Sequence, residues 1–319
     1  MRNPIEHMPS LPTIVSASVL LIAVIGLALL EPRFIVSQNL ANIALQAAPL
    51  ILVALAQGIV IISGGIDLSQ GAAIAFAGIV GMLAALASNS IWVGWFIVIA
   101  TGVALSAING ALVGWMRVPA FVATAGMLTY VDGASFLITG GLPIEFPPDG
   151  YSWFGRAFFG PVPVAIPVVA IISLLTCVLM HRTRIGRSIY LLGDNEEAAR
   201  IVGINPSLCR FYVFLIAGFL TGCASIILTG RIDSAPPSLS PTIQFEAIAA
   251  VAIGGISMSG GHGGIWRAIA GVVPVAVAGN ILNLMGVQTG AQLIIIGGIT
   301  VGVVALQALP VIQLKRSRR

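Results

Sequence analysis

The chain has 319 residues, and only 8% of them are Asp, Glu, Lys or Arg, where soluble domains carry roughly 25%. Hydrophobic residues make up 58%, and 37 glycines add to the apolar share, so a water-soluble fold would expose too much apolar surface to stay dispersed. A cytosolic enzyme, a secreted disulfide scaffold, a disordered chain and a soluble nucleic-acid binder are excluded. An all-α polytopic membrane protein remains, because Gly-rich apolar runs without strand alternation favour helices over a barrel.

Stretches without a charged residue run through 34–66, 68–116, 157–180, 211–230, 247–266 and 268–314. A span needs about 20 apolar residues. In chain order the pattern predicts about ten spans, within a range of eight to ten, near 13–30, 43–63, 71–88, 91–114, 120–138, 163–180, 210–229, 243–258, 265–285 and 291–310. Together they form a single transmembrane domain over 1–319. Residues 13–30 lead into Glu31-Pro32-Arg33 rather than a small-residue cleavage site, so they read as a retained first span.

Ten spans put both termini on one side. The tail Lys315, Arg316, Arg318 and Arg319 marks that side as cytoplasmic. The polar segment 181–210 follows six spans and has a basic excess from Arg182, Arg184, Arg187, Arg200 and Arg210, which also places it inside. The connection 139–162 falls outside by parity, with Tyr151 and Trp153 expected at the membrane surface.

Within 181–210 a short helix is expected near 195–202. Asp194 is its cap, Glu197 closes a capping box, and Glu196 and Arg200 suit the two ends of the helix dipole. Gly203 suits a left-handed stop and Pro206 prevents continuation. So short a helix needs something to pack on.

Gly64-Gly65 ends an apolar span, and Asp67 and Ser69 follow at once. A carboxylate near membrane depth is costly unless it faces a cavity or partner, so the segment is either a pathway-lining hinge or the cap of the next helix, roles that are compatible. Asp132 and Glu246 are further acids inside apolar sequence, and Asn109, Asn280 and Asn283 are uncharged polar candidates. The run Gly64-Gly65-Ile66-Asp67-Leu68-Ser69-Gln70-Gly71 is echoed by Gly254-Gly255-Ile256-Ser257-Met258-Ser259-Gly260-Gly261. Such an echo would fit two related halves.

Lys315 is the only lysine, so there is no P-loop, and His7, His181 and His262 are too scattered for a metal motif. Cys177, Cys209 and Cys223 fit neither a disulfide framework nor a metal site. No catalytic residue, cofactor site or metal site is expected in this chain.

Four runs carry a family resemblance. They are Gly64-Gly65-Ile66-Asp67-Leu68-Ser69; Asn109-Gly110 through Pro119-Ala120-Phe121-Val122-Ala123-Thr124-Ala125-Gly126-Met127 to Thr139-Gly140-Gly141; Gly186-Arg187-Ser188-Ile189-Tyr190 with Asn195-Glu196-Glu197-Ala198-Ala199-Arg200 and Gly203-Ile204; and Glu246-Ala247-Ile248-Ala249-Ala250-Val251 to Gly260-Gly261. The chain resembles the permease subunit of ribose/xylose/arabinose-type sugar ABC importers, within the branched-chain amino-acid and sugar permease superfamily. Asp194 departs from the glycine common at that position, and Ala134-Ser135-Phe136 departs from the commonest sequence there.

The resemblance implies a bacterial inner-membrane protein that works with a separate ATPase binding ATP and Mg, an external solute-binding protein and a second permease copy or paralogue. It implies alternating access for a small neutral solute such as a monosaccharide. Asp194, Asn195, Glu196, Glu197, Ala198, Ala199, Arg200 and Gly203 would couple to the ATPase. Gly64, Gly65, Asp67, Ser69, Asn109, Phe121, Thr124, Asp132 and Glu246 would line or gate the pathway. The alternative is an ion-coupled secondary transporter using Asp67, Asp132 or Glu246; a membrane scaffold without transport is a third reading.

Overall fold

The computed structural model describes residues 26, 32–288, 290–295, 297–299, 301–302 and 305. The span expected at 13–30 (apart from Gly26), the end of the span expected at 291–310 and the basic tail lie outside the described residues. Among the described residues seven helices are long and apolar enough to cross a membrane. These are α1 (Ser37–Ile62), α2 (Gln70–Ser88), α3 (Ile91–Gly114), α4 (Ala120–Thr139), α6 (Ala165–Arg182), α9 (Pro206–Ile232) and α11 (Trp266–Leu284). Shorter helices come between them: α5 (Trp153–Arg156), α7 (Arg184–Asp194), α8 (Glu196–Ile201) and α10 (Ile243–Ile253).

Helix α1 is apolar on every side, and nearly every residue from Ala48 to Ile62 is buried. It is the central strut, as a helix without a polar face must be. Helices α3 and α9 cross at backbone contact. A Cβ on Gly102 would stand 2.8 Å from the Gly218 carbonyl oxygen, and one on Gly218 would stand 2.6 Å from the Gly102 carbonyl oxygen. Small residues permit this approach, which stands in for the hydrophobic drive that lipid cannot supply. Asn39 of α1 and Asn280 of α11 exchange two amide hydrogen bonds of 2.9 Å in a buried clasp. Asn283 accepts from Gln292 at 2.9 Å.

At one end of the bundle the connection after α4 folds over α9. Strand β1 (Ile144–Glu145) pairs antiparallel with β4 (Ser234–Ala235), and β2 (Phe158–Phe159) pairs with β3 (Val162–Pro163). Arg156 binds Asp233 at 3.0 Å, and Ser152 donates to the same carboxylate. Tyr151 corrects the expectation of a surface aromatic. It is wholly buried, its carbonyl accepts from the Trp95 indole at 3.3 Å, and the ring packs beside Trp95. Trp153 is half-exposed.

Helix α10 differs from the apolar run expected at 243–258. It has 11 residues, about 16 Å of axis against about 30 Å of hydrocarbon. It ends because Gly255 takes φ +82°, and the Ile256 amide then donates back to the Val251 carbonyl at 3.2 Å, a left-handed helix stop. Helix α1 ends by the same device. Gly64 has φ +88°, and Gly65 donates to the Val60 carbonyl at 3.0 Å. The stops therefore match Gly64 with Gly255, one residue out of step with the sequence echo, which aligns Gly64 with Gly254. Beyond the stop the chains diverge. Residues 65–69 lead into α2 as irregular backbone, whereas 256–264 turn back on themselves through Ser257 and His262.

Candidate functional site

The segment 63–69 is irregular backbone beside apolar helices, so its polar groups require partners. Three side chains provide them. The Asp67 carboxylate accepts from the Ser69 amide at 2.8 Å and the Ser69 hydroxyl at 2.6 Å. Asn109 of α3 donates to the Ser69 oxygen at 2.9 Å. Thr124 of α4 accepts from the Leu68 amide at 3.1 Å and donates toward the Ile66 carbonyl at 3.2 Å. Asp67, Ser69, Asn109 and Thr124 are all buried. The latch thus ties a glycine-ended helix to two neighbouring spans, and Asp67 orders the turn into α2 without itself being the first-turn cap. Ser69 is the residue at that position.

The short-helix region comprises two helices where one was expected. Thr183 caps α7 by accepting from the Gly186 amide, and α7 turns Gly186, Ile189, Tyr190 and Leu192 inward. The Tyr190 hydroxyl donates to the Gly263 carbonyl at 2.8 Å. The chain breaks at Asn195, which is extended at φ −157° and ψ 110°. Asn195, rather than Asp194, caps α8, its side-chain oxygen accepting from the Ala198 amide at 3.0 Å. Asp194 is still the last residue of α7, so it cannot cap. The expected capping box is absent because the Asn195 amide already donates to Leu191, which leaves Glu197 exposed. Gly203 ends the unit at φ +82°, with Ile204 donating to Ala199 at 3.0 Å. Asn205 then caps α9.

Glu196 is the charged centre of this region. It accepts from Arg200 at 2.5 Å and from Arg210 of α9. The Arg210 hydrogen bond, opposed by partial burial and helped by Arg200, holds its carboxyl below the ordinary glutamate range. Ala199 is buried beneath α8, while Ile201 and Val202 are 86% and 66% exposed.

Three of these features converge. A cleft of about 540 Å³ is bounded by Gly64, Gly65 and Ile66, by Arg117, Ala120 and Phe121, and by Glu196, Arg200 and Arg210. One wall is the glycine-ended segment 63–66 and another is the base of α8. Behind it, Gly193 at the end of α7 sits directly against the Ile62 carbonyl oxygen, leaving no room for a Cβ. The Gly261 amide donates to that same carbonyl at 2.8 Å. The end of α1 and the turn that follows the second stop, through Gly260 and Gly261, therefore meet at the junction of α7 and α8, where His262 lies 3.7 Å from Asp194.

Phe121 borders the cleft as an exposed ring. Asp132 lies about three turns farther along α4, outside the latch. Glu246 accepts from Thr242 at 3.1 Å and lines a separate cavity of about 220 Å³ with Gln46, Arg231, Ser240 and Asn283. The three acids are not gathered into one site. Sequence pattern assigns no site role to Gln57 or Gln70. Both are buried to within 1%, and neither amide has a hydrogen-bond partner among the described residues. No cluster of three metal-ligating side chains occurs among the described residues.

Residues 39–304 match the family model for the permease component of branched-chain amino acid transport systems. The chain is 34% identical over 283 residues to the ribose import permease protein RbsC of Escherichia coli K12, covering 88% of each. It is 35% identical over 286 residues to RbsC of Bacillus subtilis 168, covering 87% of each. To the D-allose transport system permease protein AlsC of Escherichia coli K12 it is 32% identical over 295 residues, covering 91% of this chain and 89% of that one. A polytopic helical bundle without a nucleotide-binding motif, matched along nearly its whole length, belongs to this family of transport-system permease components.

Proposed function

We propose that this chain is the membrane-spanning subunit of an ATP-driven importer, carrying a neutral monosaccharide by alternating access. The ATPase is a separate protein that binds α7 and α8 from the cytoplasm. A solute-binding protein docks on the opposite face, and a second permease copy or a paralogue completes the pathway in the bacterial inner membrane. Both termini would then be cytoplasmic, a placement that the basic excess of 181–210 and of the tail supports.

The observation that carries this reading is the cleft shared by α8 and the glycine hinge. Ile201 and Val202 give the ATPase an apolar grip, and the Glu196 pairs with Arg200 and Arg210 make α8 one body with the start of α9. A push on α8 reaches Gly64 through Gly193, which leaves no gap against Ile62. The hinge then swings where φ is already left-handed, and the Asp67, Asn109 and Thr124 latch sets its two positions. The names of the relatives, ribose and D-allose permeases, support a monosaccharide as cargo. Phe121 and the α4 face bearing Asp132 would border the pathway, and Glu246 its outer mouth.

The test is uptake by a strain lacking this chain, complemented with the full-length gene and its ATPase and binding protein. Labelled monosaccharide should accumulate only while ATP is available and should not respond to clamping the ion gradient. Uptake that follows the ion gradient and survives ATP depletion would overturn the reading in favour of ion coupling through the buried acids.

A further inference from the structure

Helices α2 and α10 both begin inside the bundle rather than at its surface. Helix α10 is half a span long, and residues 236–242, with Pro236, Pro237 and Pro241, lead into it as irregular backbone. Helix α2 is entered by the irregular segment 65–69. Irregular backbone at membrane depth persists only where protein or a polar cavity covers it.

The two starts touch. Gly71, in the first turn of α2, lies against the Gln244 side-chain oxygen in the first turn of α10, and a Cβ there would stand 2.7 Å from the Ser240 carbonyl oxygen. Gln70 and Gln244 are each only 1% exposed. Neither polar atom of Gln70 and not the side-chain oxygen of Gln244 has a hydrogen-bond partner among the described residues. The Gln244 nitrogen is used internally, donating to Pro241 at 3.0 Å. A third orphan, the Asn109 oxygen, belongs to the residue that holds Ser69. Ser240 and Ile243, on the α10 side of the junction, also border the 220 Å³ cavity.

Buried amides without partners cost about 1–3 kcal/mol each, and they stand where two helix starts aim their backbone N–H groups. We propose that Gln70 and Gln244 are specificity-determining residues of the transport pathway, forming a subsite for the hydroxyl groups of the cargo as α2 and α10 part. An uncharged polyol matches this site. Gln70 offers a donor and an acceptor and Gln244 an acceptor, all of them uncharged amide groups. The proposal rests on the importer reading and adds where that importer reads its cargo.

The experiment uses the complete importer, this chain with its ATPase and binding protein, in proteoliposomes with D-ribose, D-allose and D-galactose as probes. Gln70→Leu and Gln244→Leu should each slow uptake of the transported sugar about tenfold, the loss of one cargo hydrogen bond, and should change the ranking of the three sugars. A second measurement guards against misfolded variants: Gln70→Cys, with Cys177, Cys209 and Cys223 replaced by alanine, should react with a small methanethiosulfonate during turnover and be protected by sugar. Wild-type uptake and sugar ranking in both leucine variants would overturn the proposal, as would a Cys at 70 that stays unreactive throughout turnover. Failure of the wild-type importer to move any of the three sugars would count against the importer reading instead.

Discussion

The two glycine stops use one backbone device for two purposes. At the first, Gly64 ends α1 and the chain leaves as irregular backbone, held by Asp67 at 2.8 Å from the Ser69 amide and by two side chains from neighbouring helices. At the second, Gly255 ends α10 and the chain curls. The serine that the echo aligns with Asp67, Ser257, accepts from the Ser259 amide at 3.3 Å on an exposed turn. A left-handed glycine needs only a missing Cβ, so the stop is conferred by little sequence. The residues after the glycine decide whether the segment is a latched hinge or a plain turn, and both segments meet at Gly193.

The largest effect should come from where they meet. Gly193→Ala would drive a Cβ into the Ile62 carbonyl, and we expect a loss of about 3 kcal/mol or failure to fold. Gly133→Ala, with no atom within 4 Å of its Cβ, should be silent. Thermal unfolding in detergent separates them, and equal stabilities would remove Gly193 as the contact between the stops. Next comes the latch. Asp67→Ala should cost about 2 kcal/mol because it strands buried donors, whereas Ser257→Ala should cost less than about 0.5 kcal/mol at an exposed site. Similar losses would mean that the two segments are equivalent after all.

Gly64→Ala and Gly255→Ala should each cost about 1 kcal/mol, since both force an L-residue left-handed. A clear difference between them in the same melt would show that one stop carries strain the other does not. The smallest effect belongs to Glu196. Its folded-state carboxyl titrates below the ordinary range, so its contribution is fully present above the unfolded glutamate value and disappears as pH falls through the lowered folded value. Wild type should therefore lose its advantage over Glu196→Gln in acid, and a gap between the two melting curves that does not change with pH would contradict the pairing with Arg210 and Arg200.

How much of this was legible depended on contrast. The class was plain because charge is so sparse. The hinge was plain because Asp67 interrupts a long uncharged run beside two glycines. The end of α10 was hidden because Ile256 and Met258 continue the apolar run, and only the φ of Gly255 stops the helix. Helix α7 was readable in principle from Ile185, Ile189 and Leu192 at helical spacing behind Thr183, but Arg184 and Arg187 made it look like loop. The Asn195 cap was one residue from the expected one, because two adjacent residues could each have capped and only the backbone break chose between them. Gln70 and Gln244 were invisible: one glutamine in an apolar helix looks like any other until its partners are counted.

The central claim is that α8 is a handle worked by a separate ATPase. A photo-crosslinking residue in place of Glu197, exposed at the crown of that helix, tests it in cells taking up monosaccharide. The account expects a covalent adduct with the nucleotide-hydrolysing subunit, whose yield changes when ATP turnover is arrested. An adduct with lipid or with other parts of this chain alone, at full uptake, would contradict it.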